Sequence, residues 1–267
     1  MLRTINAREI IEKEVMAFGN GSIVYTPKRW IGEKVLVALE QRPLDIKGEA
    51  LEALKPHMES IEGIYLFGSY ARNEQSEGSD ADILVISGKK IPIRNAGKLD
   101  FLVRSKEELE AGMKSDPTLF LWQAVKEAKP LLNESLIREL RTQRPAPDFS
   151  PFFEDTLWAF RKTSELLDKN KDGEYLGSNA AIYSMMLRLR TMFIIQCHKK
   201  GVAFTNKKFA QFIRRHGFGE KTAALFFEAY RAERDEVVKR PKVLLIDAKR
   251  LFDAAKLEFL MTEEMAK

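Results

Sequence analysis

Two short runs, Phe67-Gly68-Ser69-Tyr70-Ala71-Arg72 and Ser79-Asp80-Ala81-Asp82-Ile83-Leu84-Val85, constrain this chain more than any other feature. The first follows an apolar stretch, Ile64-Tyr65-Leu66-Phe67, and the second enters another, Ile83-Leu84-Val85-Ile86. Both stretches read as buried strands. Residues i and i+2 of a strand share a face, so Asp80 and Asp82 are expected to project together from a strand end. Two carboxylates held that close repel unless a hard cation lies between them. Gly68 leaves room for close backbone approach, and Ser69 adds a hydroxyl donor. A phosphate cradle beside metal-binding carboxylates is the equipment of phosphoryl or nucleotidyl transfer.

The string GSYARNEQSEGSDADILV resembles the minimal members of the DNA polymerase β-like nucleotidyltransferase superfamily. Their signature is Gly, then Gly or Ser, a spacer of about a dozen residues, then Asp-x-Asp. The likeness in this unit runs from about residue 58 to 132. Asn73 stands where the family often has glycine, and asparagine tolerates the left-handed conformation such a turn needs. The resemblance implies a third carboxylate on a neighbouring strand, carried over to Asp100 in Lys98-Leu99-Asp100-Phe101-Leu102-Val103. Ser105 and Glu108 form the pattern of a capping box directly after it. What it implies for mechanism is in-line attack of an acceptor hydroxyl on the α-phosphate of a nucleoside triphosphate. Asp80, Asp82 and Asp100 would hold two Mg²⁺ ions (Mn²⁺ being the alternative), and Asp100 would also serve as base. Gly68 and Ser69 would bind the β- and γ-phosphates, and Arg72 would bring charge to the leaving pyrophosphate. The acceptor is left open among a protein hydroxyl, a small molecule and an RNA end, because fold does not choose a substrate. The second reading is a regulatory, antitoxin-like protein that binds nucleotide or DNA.

At 267 residues the chain has room for two domains or two plus a small module. The expected class is α+β: a small mixed sheet with helices, preceded by a β-hairpin module and followed by an all-α bundle. The divisions are expected at 1–45, 46–145 and 146–267, the last marked by Pro145, Pro147 and Pro151. In the first segment Ile23-Val24-Tyr25 and Val35-Leu36-Val37-Ala38-Leu39 read as strands around a Pro27 turn. This resembles an AbrB-like swapped hairpin, which implies a homodimer. Lys28, Arg29 and Lys34 offer few charges for DNA. A helix is expected at about 46–61, and two more near 106–113 and 117–128.

Beyond Pro151 the spacing predicts helices over 153–167, 178–199, 206–216, 221–239 and 243–261. Leu157, Phe160, Ser164 and Leu167 are expected on one face, and Ile182, Met185, Met186, Leu189, Met192 and Phe193 on another. The arrangement resembles HEPN-like domains, but their ribonuclease motif, Arg then His after four to six residues, has no match.

Between Glu174 and Glu220 there is no acidic residue, while Arg188, Arg190, Lys199, Lys200, Lys207, Lys208, Arg214 and Arg215 all fall there. Interleaved with them are Tyr183, Phe193, Phe204, Phe209, Phe212 and Phe218. This is either a face for an anionic partner or a helical core with a solvated basic side. The net charge of +5 permits an anionic partner without demanding one. A single cysteine, Cys197, excludes an internal disulfide and a cysteine metal cluster. No apolar run reaches the ~20 residues of a membrane span, and no signal-peptide core follows Met1. Those features set the expectation of a cytoplasmic protein with no membrane partner.

Overall fold

The computed structural model describes residues 8–37, 44–75, 79–143, 146–169, 173–235 and 240–267. Its contacts separate two compact units, Met1–Leu44 and Asp45–Lys267.

The smaller unit holds an antiparallel hairpin, β1 (Met16–Phe18) and β2 (Gly21–Ile23), closed by Gly19 at φ +54°. The sequence reading placed the first strand at 23–25. The hairpin instead forms one turn earlier, because Gly19 supplies the positive φ that a tight hairpin needs. Residues 35–37 form no strand, and 38–39 lie outside the described residues. Arg29 and Trp30 both donate to the Glu9 carboxylate. Phe18, Tyr25, Ile31, Leu36 and Val37 are exposed.

The larger unit begins with α1 (Ile46–Leu54), capped by the Asp45 side chain on Gly48 N–H at 3.0 Å. Pro56 does not kink this helix. It opens a separate 3₁₀ turn, Lys55–Ser60, in keeping with the tolerance of proline at a helix start. Strands β3 (Ile61–Phe67) and β4 (Ala81–Ser87) follow, with α2 (Gly68–Ala71) between them. Next come β5 (Asn95–Ala96), β6 (Leu99–Arg104), α3 (Lys106–Ser115), α4 (Phe120–Glu127), β7 (Lys129–Leu132) and α5 (Glu134–Leu140).

The sheet order is β5-β6-β4-β3-β7. Only β4 and β6 run parallel; the other pairs are antiparallel. The apolar runs of β3 and β4 are central and buried, as continuous rather than alternating patterns require. Leu109, Met113, Val125, Ile137 and Leu140 of the helices pack with Tyr65, Phe67, Leu84 and Ile86. The Ser105–Glu108 capping box starts α3.

Among the described residues five helices follow: α6 (Ser150–Asp168), α7 (Ala180–Lys199), α8 (Asn206–Arg214), α9 (Glu220–Arg234) and α10 (Leu245–Ala266). The molecule is thus α+β, a mixed sheet followed by a helical region. The α7 stripe is core as expected, with Ile182, Met185, Met186, Leu189 and Met192 all buried. On α6 the inner face is shifted: Leu157 is 46% exposed, while Thr156 and Thr163 are buried. Thr156 can go inside because its hydroxyl donates to the Phe152 carbonyl at 2.7 Å. Leu119, from the turn before α4, is fully buried in the helical core, and Trp122 of α4 packs on it. No helix among the described residues is long and apolar enough to cross a membrane.

Glu258 of α10 is a carboxylate inside this core, its side chain 1% exposed. Gln196 donates to it at 2.6 Å, Arg215 at 2.7 Å, and His216 Nε2 lies 3.0 Å away. Burial pushes its pKa up, but the contacts from His216, Gln196 and Arg215 prevail and hold it at about 2. The ordinary value is 4.5. A depressed acid stabilises the fold above its unfolded pKa, and that stability drains away as pH falls toward the folded value. Glu258→Gln is therefore expected to cost about 3 kcal/mol at neutral pH and progressively less between about pH 4.5 and 2. Urea titrations across that range check it; a cost independent of pH would contradict it.

Candidate active site

The site forms where β3 and β4 end and begin, beside β6. Asp82 opens β4 and is the register partner of Asp100 on the parallel strand β6. Registered residues of neighbouring parallel strands point to the same face, about 4.8 Å apart along the backbone. The structure thus sets these two carboxylates side by side. Asp80 lies just before β4 and is exposed. Among the described residues no three His, Cys, Asp or Glu side chains form a metal-ready cluster, and the Asp80 charge still reaches Asp82 and raises its carboxyl. The Asn95 amide, in its satisfied orientation, donates to Asp100 Oδ1 at 2.9 Å.

On the other side Asp82 opposes Phe67, the last residue of β3. Gly68 comes next, at φ +71°. A Cβ on Gly68 would lie 1.9 Å from Asp82 Oδ2. Two independent requirements therefore select glycine: a left-handed backbone and contact with a carboxylate. Gly68→Ala is expected to cost roughly 1–2 kcal/mol from the conformation alone, and more from displacing Asp82. Thermal unfolding should show a drop of that size; an unchanged midpoint would mean the loop is not held as described. Ser69 follows, and its hydroxyl has no protein partner among the described residues.

Burial first, then the charges of Asp100 and Glu127, push the Asp82 carboxyl up from 3.8 to about 6, against the opposing pull of Arg72. Protein charge thus leaves this pair under-compensated. An all-oxygen carboxylate pair in that condition fits a hard divalent cation such as Mg²⁺ or Mn²⁺.

Arg72 points its guanidinium at protein. Its terminal nitrogen donates to both oxygens of Glu127 at 2.6 Å, and Nε donates to Glu74 at 2.9 Å. Both partners of the Arg72–Glu127 pair are only 10% exposed. Glu127 also accepts the Gly68 N–H at 2.8 Å and the Gln123 amide at 2.9 Å. Glu74 in turn accepts the backbone N–H groups of Asn206 and Lys207, at 2.9 and 3.3 Å, at the start of α8. The guanidinium carbons of Arg72 and Arg190 both lie over the Phe204 ring, at 5.6 and 5.4 Å from its centre. The glycine loop is thereby tied to the helical domain. Glu127 and Glu74 were not singled out in the sequence. A glutamate at a helix end carries no motif, and only the fold brings residue 127 to residue 68.

The sequence profile of the family described as "Polymerase beta, Nucleotidyltransferase" matches residues 49–136. A provisionally named protein adenylyltransferase of Methanocaldococcus jannaschii is 36% identical over 95 residues, 36% of this chain and 90% of that protein. The chain belongs to the polymerase β nucleotidyltransferase family. This nucleotidyltransferase is also similar to two solved structures at low identity. One is a spectinomycin adenyltransferase from Enterococcus faecialis with ATP and spectinomycin: 16% identity, TM-score 0.40, covering 78% of this chain and 97% of that one. The other is a nucleotidyltransferase-like protein from Exiguobacterium sibiricum: 11% identity, TM-score 0.36, covering 81% and 75%. At these scores neither bears on function. The family match lies wholly within the sheet and its helices, so the hairpin unit and the helices after α5 are outside it.

Proposed function

We propose that the protein transfers a nucleoside monophosphate from a nucleoside triphosphate to an acceptor hydroxyl, and that it needs divalent metal to do so. The observation that carries this reading is the pairing of Asp82 with Asp100 against Gly68, in a chain of this family. Asp82 and Asp100 would hold the metal, joined by Asp80. Two ions, if bound there, would supply charge neutralisation at the α-phosphate and at the departing pyrophosphate. The protein's own part is positional. The Gly68–Ser69 loop receives the β- and γ-phosphates, with the Ser69 hydroxyl as donor. The new bond joins the acceptor oxygen to Pα, the bond from Pα to the bridging oxygen breaks, and pyrophosphate leaves. Asp100 accepts the hydroxyl proton on a carboxylate oxygen. Arg72 acts through the loop that Glu127 holds, placing positive charge near the acidic pair.

The adenylyltransferase name of the M. jannaschii relative makes ATP the first triphosphate to try and a protein side chain the first acceptor. The three-part organisation, 1–45, 46–145 and 146–267, has the hairpin unit as the dimer contact. Its exposed Phe18, Tyr25, Ile31 and Leu36 support pairing with a second copy.

The test is label transfer. Purified protein, Mg²⁺ and a fractionated extract are incubated with each α-labelled triphosphate, beside the Asp80→Ala/Asp82→Ala variant. Label on a macromolecule or small molecule with the wild type alone supports the reading. Equal labelling by the variant sinks it.

A further inference from the structure

We propose that the concavity between α7 and α8 is a binding site for a small phosphate monoester, separate from the transfer site. The cavity measures about 360 Å³, in the range of small-molecule sites. None of the residues named at the transfer site lines it. Its apolar wall includes Phe193 and Phe212. Three cations, Lys200, Lys208 and Arg215, border it, and no acidic residue does.

Two of these three charges are not neutralised within the protein. Lys200 has no carboxylate partner among the described residues, and the Lys208 ammonium donates to the neutral Ala203 carbonyl at 2.9 Å. Arg215 lies 4.3 Å over the Phe212 ring and gives one nitrogen to Glu258. That carboxylate is buried and already occupied by Gln196, Arg215 and His216. It therefore orients Arg215 without cancelling the two ammonium groups. Aromatic walls, a guanidinium plane and unpaired ammonium groups suit a phosphate carried on a compact organic body. An extended polyanion suits the place less well. Lys207 and Arg214, the other cations of α8, do not line the cavity, so the charges converge instead of forming a stripe.

Calorimetry in EDTA, with inorganic phosphate and AMP as probes, removes divalent metal from the transfer site. Wild type, Asp82→Asn and Lys200→Gln/Lys208→Gln are compared. Both lysines are exposed, so the double variant should fold normally, which its thermal unfolding verifies. Wild type and Asp82→Asn should bind AMP alike, and the lysine variant should lose roughly tenfold for each ammonium removed. No saturable binding of either probe to wild type, or equal binding by the lysine variant, overturns the proposal. So does a single-stranded oligonucleotide that binds tighter than AMP and needs the same lysines, which would make the face a nucleic-acid site. Because the readout is metal-free and includes Asp82→Asn, failed nucleotidyl transfer and a failed cavity assignment remain distinguishable.

Discussion

Asp82→Asn should abolish nucleotidyl transfer and at the same time make the protein more stable above neutral pH. The catalytic half follows from removing one of the two registered carboxylates, with an expected loss of about a thousandfold or more. The stability half follows from the electrostatics of the free enzyme. Asp82 titrates at about 6 in the fold against 3.8 for an ordinary aspartate, first because it is buried and then because Asp100 and Glu127 lie near. An acid with a raised pKa favours its protonated form in the folded state. Wild type therefore loses stability as pH rises from about 4 through 6, and that loss persists above. The asparagine variant has no charge to bury. Allowing for solvent screening of a partly exposed group, its advantage should be about 1–2 kcal/mol at pH 8 and near zero at pH 4. Denaturant titrations in EDTA at the two pH values measure it, and Mg²⁺ should shrink the gap by stabilising only the wild type. Wild-type turnover by the variant, or destabilisation at pH 8, would remove Asp82 from the proposed metal site.

The second large effect lies outside the carboxylate pair. Arg72→Ala leaves Glu127 as an uncompensated buried charge, and Glu127→Ala does the same to Arg72. Each is expected to cost about 3–5 kcal/mol. The double variant should cost little more than either single change, because both remove one interaction. Arg72→Ala should also speed amide exchange at Asn206 and Lys207, whose N–H groups depend on the carboxylate that Arg72 orients. Additive single effects below about 1 kcal/mol would show that the pair is a surface contact rather than the fastening of the glycine loop.

Much of the fold was legible in the chain. The apolar runs at 64–67 and 83–86 became the central strands, the Ser105–Glu108 box caps its helix, and the methionine stripe on α7 is core. Local physics sufficed in each case. What was illegible depended on pairing. Asp100 was assigned to a neighbouring strand only through the family resemblance, and no local pattern says that it registers with Asp82 or that residue 127 returns to residue 68. Thr156 replaced Leu157 on the inner face of α6 because a backbone hydrogen bond satisfies its hydroxyl, a contact that periodicity does not see. In the basic stretch Phe204, Phe209 and Phe212 are buried in the helical core, and periodicity could not say that Phe212 also borders the cavity between α7 and α8.

The parallel register of β4 and β6 also bears on how such a chain tolerates insertions and deletions. The stretch from Gly88 to Ile93 lies outside the β5–β6 ladder and only has to return the chain to the sheet, so its length is free to drift between relatives. Inside Leu99–Arg104 there is no such freedom. A single residue added before Asp100 would turn its carboxylate to the opposite side of the sheet and leave Asp82 without its neighbour. Length variation among functional relatives should therefore concentrate in that stretch and be absent from the first two residues of β6.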